Sequence, residues 1–366
     1  MRKALIAAAL LHGLARAAPH PQDIDFDAVD SAPSATVTGP PITAVEQPVT
    51  YNPTTASQSA AAAVTASPLA KRWEFGLFER DGVNDDCAPQ PDGYGPKPTS
   101  DTTDAFITNT VFALAAVNAP TPNGYNNVFS NLQGSVSLPS YLGLYTLQSY
   151  DPLQCQQLCD AADSCYGFNI YFERDPSVNP ADACPNPPSF TNIKCTLWGS
   201  HVTAQSASNM GGYRDQFQVV IAGSNGYNKK KAPPPYSGYD GPTELGGAIA
   251  APLYTDPTTG AQVDTYIGVK FFRGAFNAGQ CAAACDATED YDRTHATGGS
   301  YKPCNFFNAY VLSKNGKALG TYCSLYTQPW DKSYSTNVGQ YSGSDYYSVS
   351  QSYSYTRSVQ DPGVVD

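Results

Sequence analysis

Asp151-Pro152-Leu153-Gln154-Cys155-Gln156-Gln157-Leu158-Cys159, followed by Cys165-Tyr166-Gly167-Phe168-Asn169-Ile170-Tyr171, is the stretch that decides the fold. Asp151 suits a helix N-cap, and Gln154 stands three residues further on, as in a capping box. Cys155, Leu158, Cys159 and Ala162 then share one helical face, so the cysteine pair points at a core. After Cys165 the period changes. Tyr166, Phe168, Ile170 and Phe172 alternate, which predicts a half-buried strand. A helix stapled by cysteines to a sheet follows.

The pattern occurs twice. Asn277-Ala278-Gly279-Gln280 leads into Cys281-x3-Cys285, 126 residues after Cys155-x3-Cys159, and Cys281, Ala284 and Cys285 again share a face. Cys304-Asn305-Phe306-Phe307-Asn308-Ala309-Tyr310 lies against Cys165 to Tyr171, with Phe, Asn and Tyr at equal distances from the cysteine. Cys195-Thr196-Leu197-Trp198 matches Cys323-Ser324-Leu325-Tyr326 at an offset of 128. Asn209, Gly211 and Tyr213 stand 14, 16 and 18 residues past Cys195, and Asn337, Gly339 and Tyr341 stand likewise past Cys323. Agreement at so many positions marks an internal duplication. Each copy reads as strand, helix, strand, turn, strand, loop, strand, with Lys314-Asn315-Gly316 as a hairpin signal. The fold class is α+β, one helix on an antiparallel β-sheet per copy.

The N-terminus predicts secretion. Arg2 and Lys3 precede an apolar run from Ala4 to Leu14, and Ala15-Arg16-Ala17 offers small residues for a signal peptidase, giving a signal peptide over 1–17. No later run is long and apolar enough to span a bilayer, and the C-terminus lacks the apolar tail of a lipid-anchor signal. Residues 18–72 are rich in Ala, Ser, Thr and Pro, with Phe26 and Tyr51 as their only aromatics. Too little apolar surface is available there to offset chain entropy, so a disordered pro-region is expected. It ends at Lys71-Arg72, just before Trp73, Phe75 and Phe78, a suitable site for a dibasic endoprotease. Residues 1–72 carry five basic and five acidic groups, so their removal leaves the net charge at −11. That charge disfavours nucleic acid and anionic membrane as partners. No Asn-x-Ser/Thr sequon with x other than Pro occurs.

All ten cysteines follow Lys71-Arg72. An even count on an oxidising secretory route reads as disulfides; zinc is the rival for the Cys-x3-Cys pairs. The copies are placed at 73–226, which includes an N-terminal segment, and at 244–366, which ends in a Tyr/Ser-rich tail. That tail, Tyr341 to Tyr355, is expected to form an edge strand. Between the copies, residues 227–243 form a linker in which Lys229-Lys230-Lys231 and Pro233-Pro234-Pro235 should be extended and semi-rigid.

At this level of detail the chain resembles the PAN/apple family, whose modules set a Cys-x3-Cys helix over an antiparallel sheet, then a Cys-x-x-Phe strand and a Cys-x-Leu strand. Cys155 to Trp198 and Cys281 to Tyr326 both carry that pattern. The whole chain is similar to fungal secreted proteins with two such modules behind a Lys-Arg pro-segment, notably over Phe168 to Asp175 and Phe217 to Tyr227. The resemblance covers most of residues 73–355. It implies the pairs Cys159–Cys165, Cys285–Cys304, Cys155–Cys195 and Cys281–Cys323, and leaves Cys87 to Cys184. It also implies fold more than function.

Catalytic material is sparse. Only His201 and His295 remain after processing, and no Gly-x-Ser-x-Gly, His-Glu-x-x-His or P-loop motif occurs. A carboxylate pair for glycoside hydrolysis leaves no short signature and stays open as a third reading. Asp81-Gly82-Val83-Asn84-Asp85-Asp86 clusters oxygens but lacks EF-hand order, so it reads as a solvated acidic turn. No cofactor or metal is expected. Binding has more support, because 25 Tyr, 15 Phe and 3 Trp exceed what a core of this size requires. Such rings stack on sugars and anchor protein interfaces. Trp198 and Tyr326, one residue past Leu197 and Leu325, face away from those leucines and are the candidate ligand-binding residues. The alternative is that they pack beneath the following loop. The expected function is extracellular recognition or adhesion with a glycan or protein partner; a structural wall or matrix protein is the second reading.

Overall fold

The computed structural model describes residues 23–48, 51–65, 86–91 and 93–365. The signal peptide, Lys71, Arg72, Trp73, Phe75, Phe78 and Asp81 to Asp85 lie outside these residues, and Asp86 is exposed.

Two short N-terminal helices come first, α1 (Phe26–Ser31) and α2 (Pro53–Thr65), followed by α3 (Thr103–Ile107) and α4 (Thr110–Val117). The first unit then runs β1 (Tyr125–Leu132), β2 (Tyr141–Leu147), α5 (Pro152–Ala161), β3 (Gly167–Pro176), β4 (Ser189–Trp198), β5 (Gly212–Arg214) and β6 (Phe217–Lys229). The second opens with β7 (Tyr239–Leu245), passes through the small pair β8 (Tyr254–Thr255) and β9 (Gln262–Val263), and continues with β10 (Tyr266–Arg273) and α6 (Ala278–Thr294). It closes with β11 (Phe306–Lys314), β12 (Lys317–Tyr326), β13 (Gly339–Ser342) and β14 (Asp345–Arg357). The first sheet has the order β1-β6-β3-β4-β2, with β5 also on β6. The second has β7-β14-β11-β12-β10, with β13 also on β14. With β1 matched to β7 and so on along the chain, the two orders are the same, and every pairing in them is antiparallel. The duplication is therefore one of topology as well as sequence.

Both module helices start as their sequences suggest. The Asp151 carboxylate accepts from the Leu153 amide at 2.9 Å and Pro152 opens the first turn of α5; the Asn277 side chain accepts from the Gly279 amide at 3.0 Å. The helix cysteines are buried and bridged to the sheet as Cys155–Cys195 and Cys281–Cys323, and to the next strand as Cys159–Cys165 and Cys285–Cys304. Cys87–Cys184 ties residues 86–91 to the long loop of the first unit. The first four are the pairs that the resemblance implies, and the fifth joins the two cysteines it left over. No cysteine joins the ends of either unit, and strand pairing does so instead: Tyr125 opposes Lys229, and Tyr239 opposes Arg357.

Each unit also holds a buried asparagine clamp. Asn169 donates to the Ser224 hydroxyl and the Asn225 carbonyl, both at 2.8 Å, and accepts from the Val136 amide at 2.9 Å. Asn308 donates to the Ser352 hydroxyl at 2.9 Å and the Tyr353 carbonyl at 3.0 Å, and accepts from the Ile249 amide at 2.9 Å. Both clamps sit beside a register shift, between Ile170 and Phe172 and between Ala309 and Val311. Such an irregularity frees backbone groups from the ladder, and the amide takes them up.

Four expectations are corrected. First, much of the pro-region is structured. Ile24 and Val29 are buried in an apolar cluster with Tyr310, Leu312 and Tyr322, α2 packs on α6, and Gln47 forms an antiparallel bridge with Leu144. The segment has too little apolar surface to fold alone, but Ile24, Val29 and Ala60 are buried against the rest of the chain. Second, β6 runs to Lys229 and β7 starts at Tyr239, so the connector between them is only 230–238. It lies along the second unit, with the Tyr355 hydroxyl donating to the Pro234 carbonyl at 2.9 Å. The units are not tethered apart. Tyr166, Trp198 and Val202 share one apolar cluster with Phe276, Cys281 and Tyr353, and the Phe276 amide donates to the Gly199 carbonyl at 2.6 Å. Third, the tyrosine-rich tail is an inner strand. β14 pairs with β11 on one side and with β13 and β7 on the other, and Tyr347, Tyr353 and Tyr355 are buried. No helix among the described residues is long and apolar enough to cross a membrane. The fourth correction concerns the ligand-binding pair.

Candidate binding surfaces

Trp198 and Tyr326 do point away from Leu197 and Leu325, but both are 0 % exposed. The Trp198 indole donates to the Thr196 hydroxyl at 3.1 Å and packs against Tyr141, Val136 and Val202. The Tyr326 hydroxyl donates to the Ile249 carbonyl at 3.1 Å, and its ring meets Tyr266 and Phe306. Their outer face is covered by the connection after the first strand of each unit, through Val136 and Ile249, and by the loop that follows each ring, through Val202 in one copy and Trp330 and Tyr334 in the other, which is the alternative packing that the sequence offered. Neither ring can stack on a ligand, and both are packing residues.

The exposed aromatics lie elsewhere in the repeat. The shared motif Asn-x-Gly-x-Tyr enters the edge hairpins β5–β6 and β13–β14. Its Asn has a structural task in both copies: the Gly211 amide donates to Asn209 Oδ1 at 3.1 Å, and the Gly339 amide to Asn337 Oδ1 at 3.0 Å. Its Gly is equally constrained. Gly211 has φ +91° and Gly339 φ +141°, and a Cβ on either would stand 2.2 Å from a carbonyl oxygen, that of Val219 or Tyr347. The Tyr has no such task. Tyr213 is 68 % and Tyr341 72 % exposed, and the apolar residues before each glycine, Met210 and Val338, are 58 % and 57 % exposed. Each unit thus offers one apolar-aromatic edge at the same place. Sequence reading noted these tyrosines as repeat markers but missed their exposure. The signal lay in the motif itself, whose turn chemistry accounts for Asn and Gly and leaves Tyr over.

A second surface is the outer face of the first sheet, away from α5. Strand alternation puts Tyr171, Glu173 and Asp175 of β3 there with Asn192 and Lys194 of β4. All five are buried. The Lys194 ammonium forms a short contact with Glu173, lies 3.3 Å from Asp175 Oδ2 and donates to the Ala44 carbonyl at 3.0 Å. Burial pushes the Glu173 carboxyl up to about 8, more than Lys194 pulls it down. Burial also lowers Lys194, but Asp175 and Glu173 together outweigh it and leave the ammonium above the ordinary lysine value. Tyr171 Oη, Asp175 Oδ1 and Asn192 Oδ1 are buried with no hydrogen-bond partner. Beside them a cavity of about 280 Å³ is lined by Thr38 to Ile42, Val136, Ser137, Glu173, Lys194, Asn209 and Gly211. At the equivalent positions of the second unit stand Leu312, Lys314 and Tyr322, and α1 covers the leucine and tyrosine as an ordinary apolar core.

Charge patterning alone did not reveal this cluster, because a Glu-x-Asp alternation on a strand reads as a solvated face. Among the described residues no group of three or more His, Cys, Asp or Glu is arranged to hold a metal ion. His201, one of the two histidines weighed for catalysis, is half-buried, and the desolvation of its ring holds its pKa below the usual value; the ring is 3.3 Å from the Lys229 carbonyl. His295 stacks on Tyr291 at the end of α6. Comparison with family models, curated proteins and solved structures found no match to this chain.

Proposed function

We propose that the chain is an extracellular recognition or adhesion protein of two PAN/apple-like modules that binds a glycan of repeating units through its paired edges. The observation that carries this reading is the exposure of Met210 and Tyr213 in one copy and of Val338 and Tyr341 in the other, at matched places in a repeated motif. A polymer presents the same unit many times, so two equivalent aromatic platforms suit it, and simultaneous engagement multiplies a weak affinity. Secretion is supported by the signal-like N-terminus and by five bridges with no free cysteine among the described residues. The module reading is supported by a bridged helix over an antiparallel sheet in each copy.

The test is retention of the full chain on chitin, β-glucan, cellulose and mannan, beside a reduced and alkylated control. Saturable retention on one polymer, lost on reduction, is expected. Tyr213→Ala and Tyr341→Ala should each weaken it about fivefold, as losing one ring contact worth ~1 kcal/mol does, and the double variant should lose the avidity as well. Retention that ignores the double variant would sink the paired-edge reading. No retention on any polymer would favour a structural role in wall or matrix.

A further inference from the structure

The geometry points to the outer face of the first sheet, with the β2 edge, as a groove for an extended peptide, which residues 38–47 of the same chain occupy as a resident ligand. This does not depend on the glycan reading.

The way the segment is held carries the inference. The Leu138 amide donates to the Thr38 carbonyl at 2.9 Å, Lys194 to the Ala44 carbonyl at 3.0 Å, and the Thr146 hydroxyl to the Val45 carbonyl at 2.5 Å. Gln47 donates its amide to the Leu144 carbonyl at 2.8 Å and accepts from the Leu144 amide at 2.7 Å. All five bonds use the segment's main chain. One more, from the Tyr141 hydroxyl to Gln47 Oε1 at 2.9 Å, uses a side chain. Not one residue from Thr38 to Gln47 is buried. One antiparallel bridge, Gln47 with Leu144, joins the segment to the sheet edge, the beginning of strand addition, in which backbone bonds supply affinity and pockets supply selectivity. Strand β2 is terminal in its sheet order, so its outer edge is left unpaired by the sheet itself.

The pockets beneath the segment are incompletely used. Asp175 Oδ1 and Asn192 Oδ1 accept nothing, and the cavity lies between the segment and Glu173 and Lys194. Thr43 lines the same small pocket as Asp175 and Asn192, so the fitting occupant is an extended peptide with a hydrogen-bond-donating side chain near that position. The second unit provides the contrast. There α1 buries Ile24 and Val29 against Tyr310 and Tyr322, so side-chain packing is added to main-chain bonds with Tyr322, Gln340 and Arg273, whereas no residue of 38–47 is buried.

The test uses the full chain and a fluorescent synthetic peptide of residues 36–48. Gln47→Pro removes the amide that bonds Leu144 and should release the resident segment. The variant is expected to bind the peptide saturably. The wild-type chain should bind at least tenfold more weakly, because its tethered segment competes at high effective concentration. Adding Thr146→Val to Gln47→Pro should weaken binding several-fold. A folded Gln47→Pro chain that binds no peptide, or binds as the wild type does, overturns the proposal, as does a dimer of that variant that excludes the peptide. Should the variant fail to fold, hydrogen exchange on the unmodified chain decides. The Gln47 amide should exchange at least a hundredfold faster than the paired amides of β3 and β4, and equal protection overturns a displaceable segment.

Discussion

Asn169→Ala and Asn308→Ala should each lower the unfolding free energy by about 4 kcal/mol, since each orphans buried groups that cost ~1–3 kcal/mol apiece when left unpaired. In the first unit those groups are the Val136 amide, the Asn225 carbonyl and the Ser224 hydroxyl. In the second they are the Ile249 amide and the Tyr353 carbonyl, while the Ser352 hydroxyl keeps its bond to the Gly247 carbonyl. Alanine is too short to bridge the strand irregularity, and both asparagines are fully buried, so the groups they satisfy are cut off from bulk water. Ser224→Ala is the matched control. It removes one neutral partner and should cost only about 1 kcal/mol. Urea unfolding with the disulfides intact reads the three variants on one scale. A loss below 1 kcal/mol for either asparagine would show that the irregular ladder does not need its clamp. The same asparagines explain why the motif Phe-Asn-x-Tyr recurs in both copies.

The pH dependence of Glu173 gives the other large effect. Its folded-state pKa of about 8 stands above its ordinary value of 4.5. A carboxyl raised in this way favours the folded chain fully below pH 4.5 and loses that contribution as pH climbs through 8. By linkage about 3 kcal/mol should be lost between pH 5 and pH 8, at ~1.4 kcal/mol per pKa unit. Glu173→Gln keeps an acceptor for Lys194 and removes the titration. The variant should match the wild type near pH 5, become the more stable of the two by pH 8, and show a flatter stability curve between them. The physical reason is burial, which disfavours the carboxylate; Lys194 offsets part of it, and the neighbouring Asp175 charge adds to it. Equal slopes in the two proteins would mean that Glu173 is ionised in the folded state across this range.

The sequence was most informative where local chemistry and tertiary structure ask for the same thing. Asp151 and Asn277 cap their helices in place, the cysteine faces point inward, and Asn315-Gly316 turns with both φ values positive, at 50° and 80°. Strand parity correctly put Leu197 and Leu325 on the helix side with Trp198 and Tyr326 opposite. It did not reveal what lies over the opposite face. That depends on loops and on the N-terminal segment, which come from distant parts of the chain. Trp198 was therefore read as available when it is roofed. Glu173 and Asp175 carry no local mark of the segment, Thr38 to Gln47, that lies over them.

By itself, then, the sequence determined the duplication, the α+β class, the bridged helix of each copy and the turn chemistry of the Asn-x-Gly-x-Tyr motif. These rest on short-range spacing, which survives in one dimension. Only the tertiary structure decided which aromatic residues are exposed, that the two units share a core, and that a compositionally poor segment is held in place. Burial is a sum over contacts from remote residues. A segment with few apolar side chains becomes ordered only when a folded partner offers those side chains a pocket and its backbone a sheet edge.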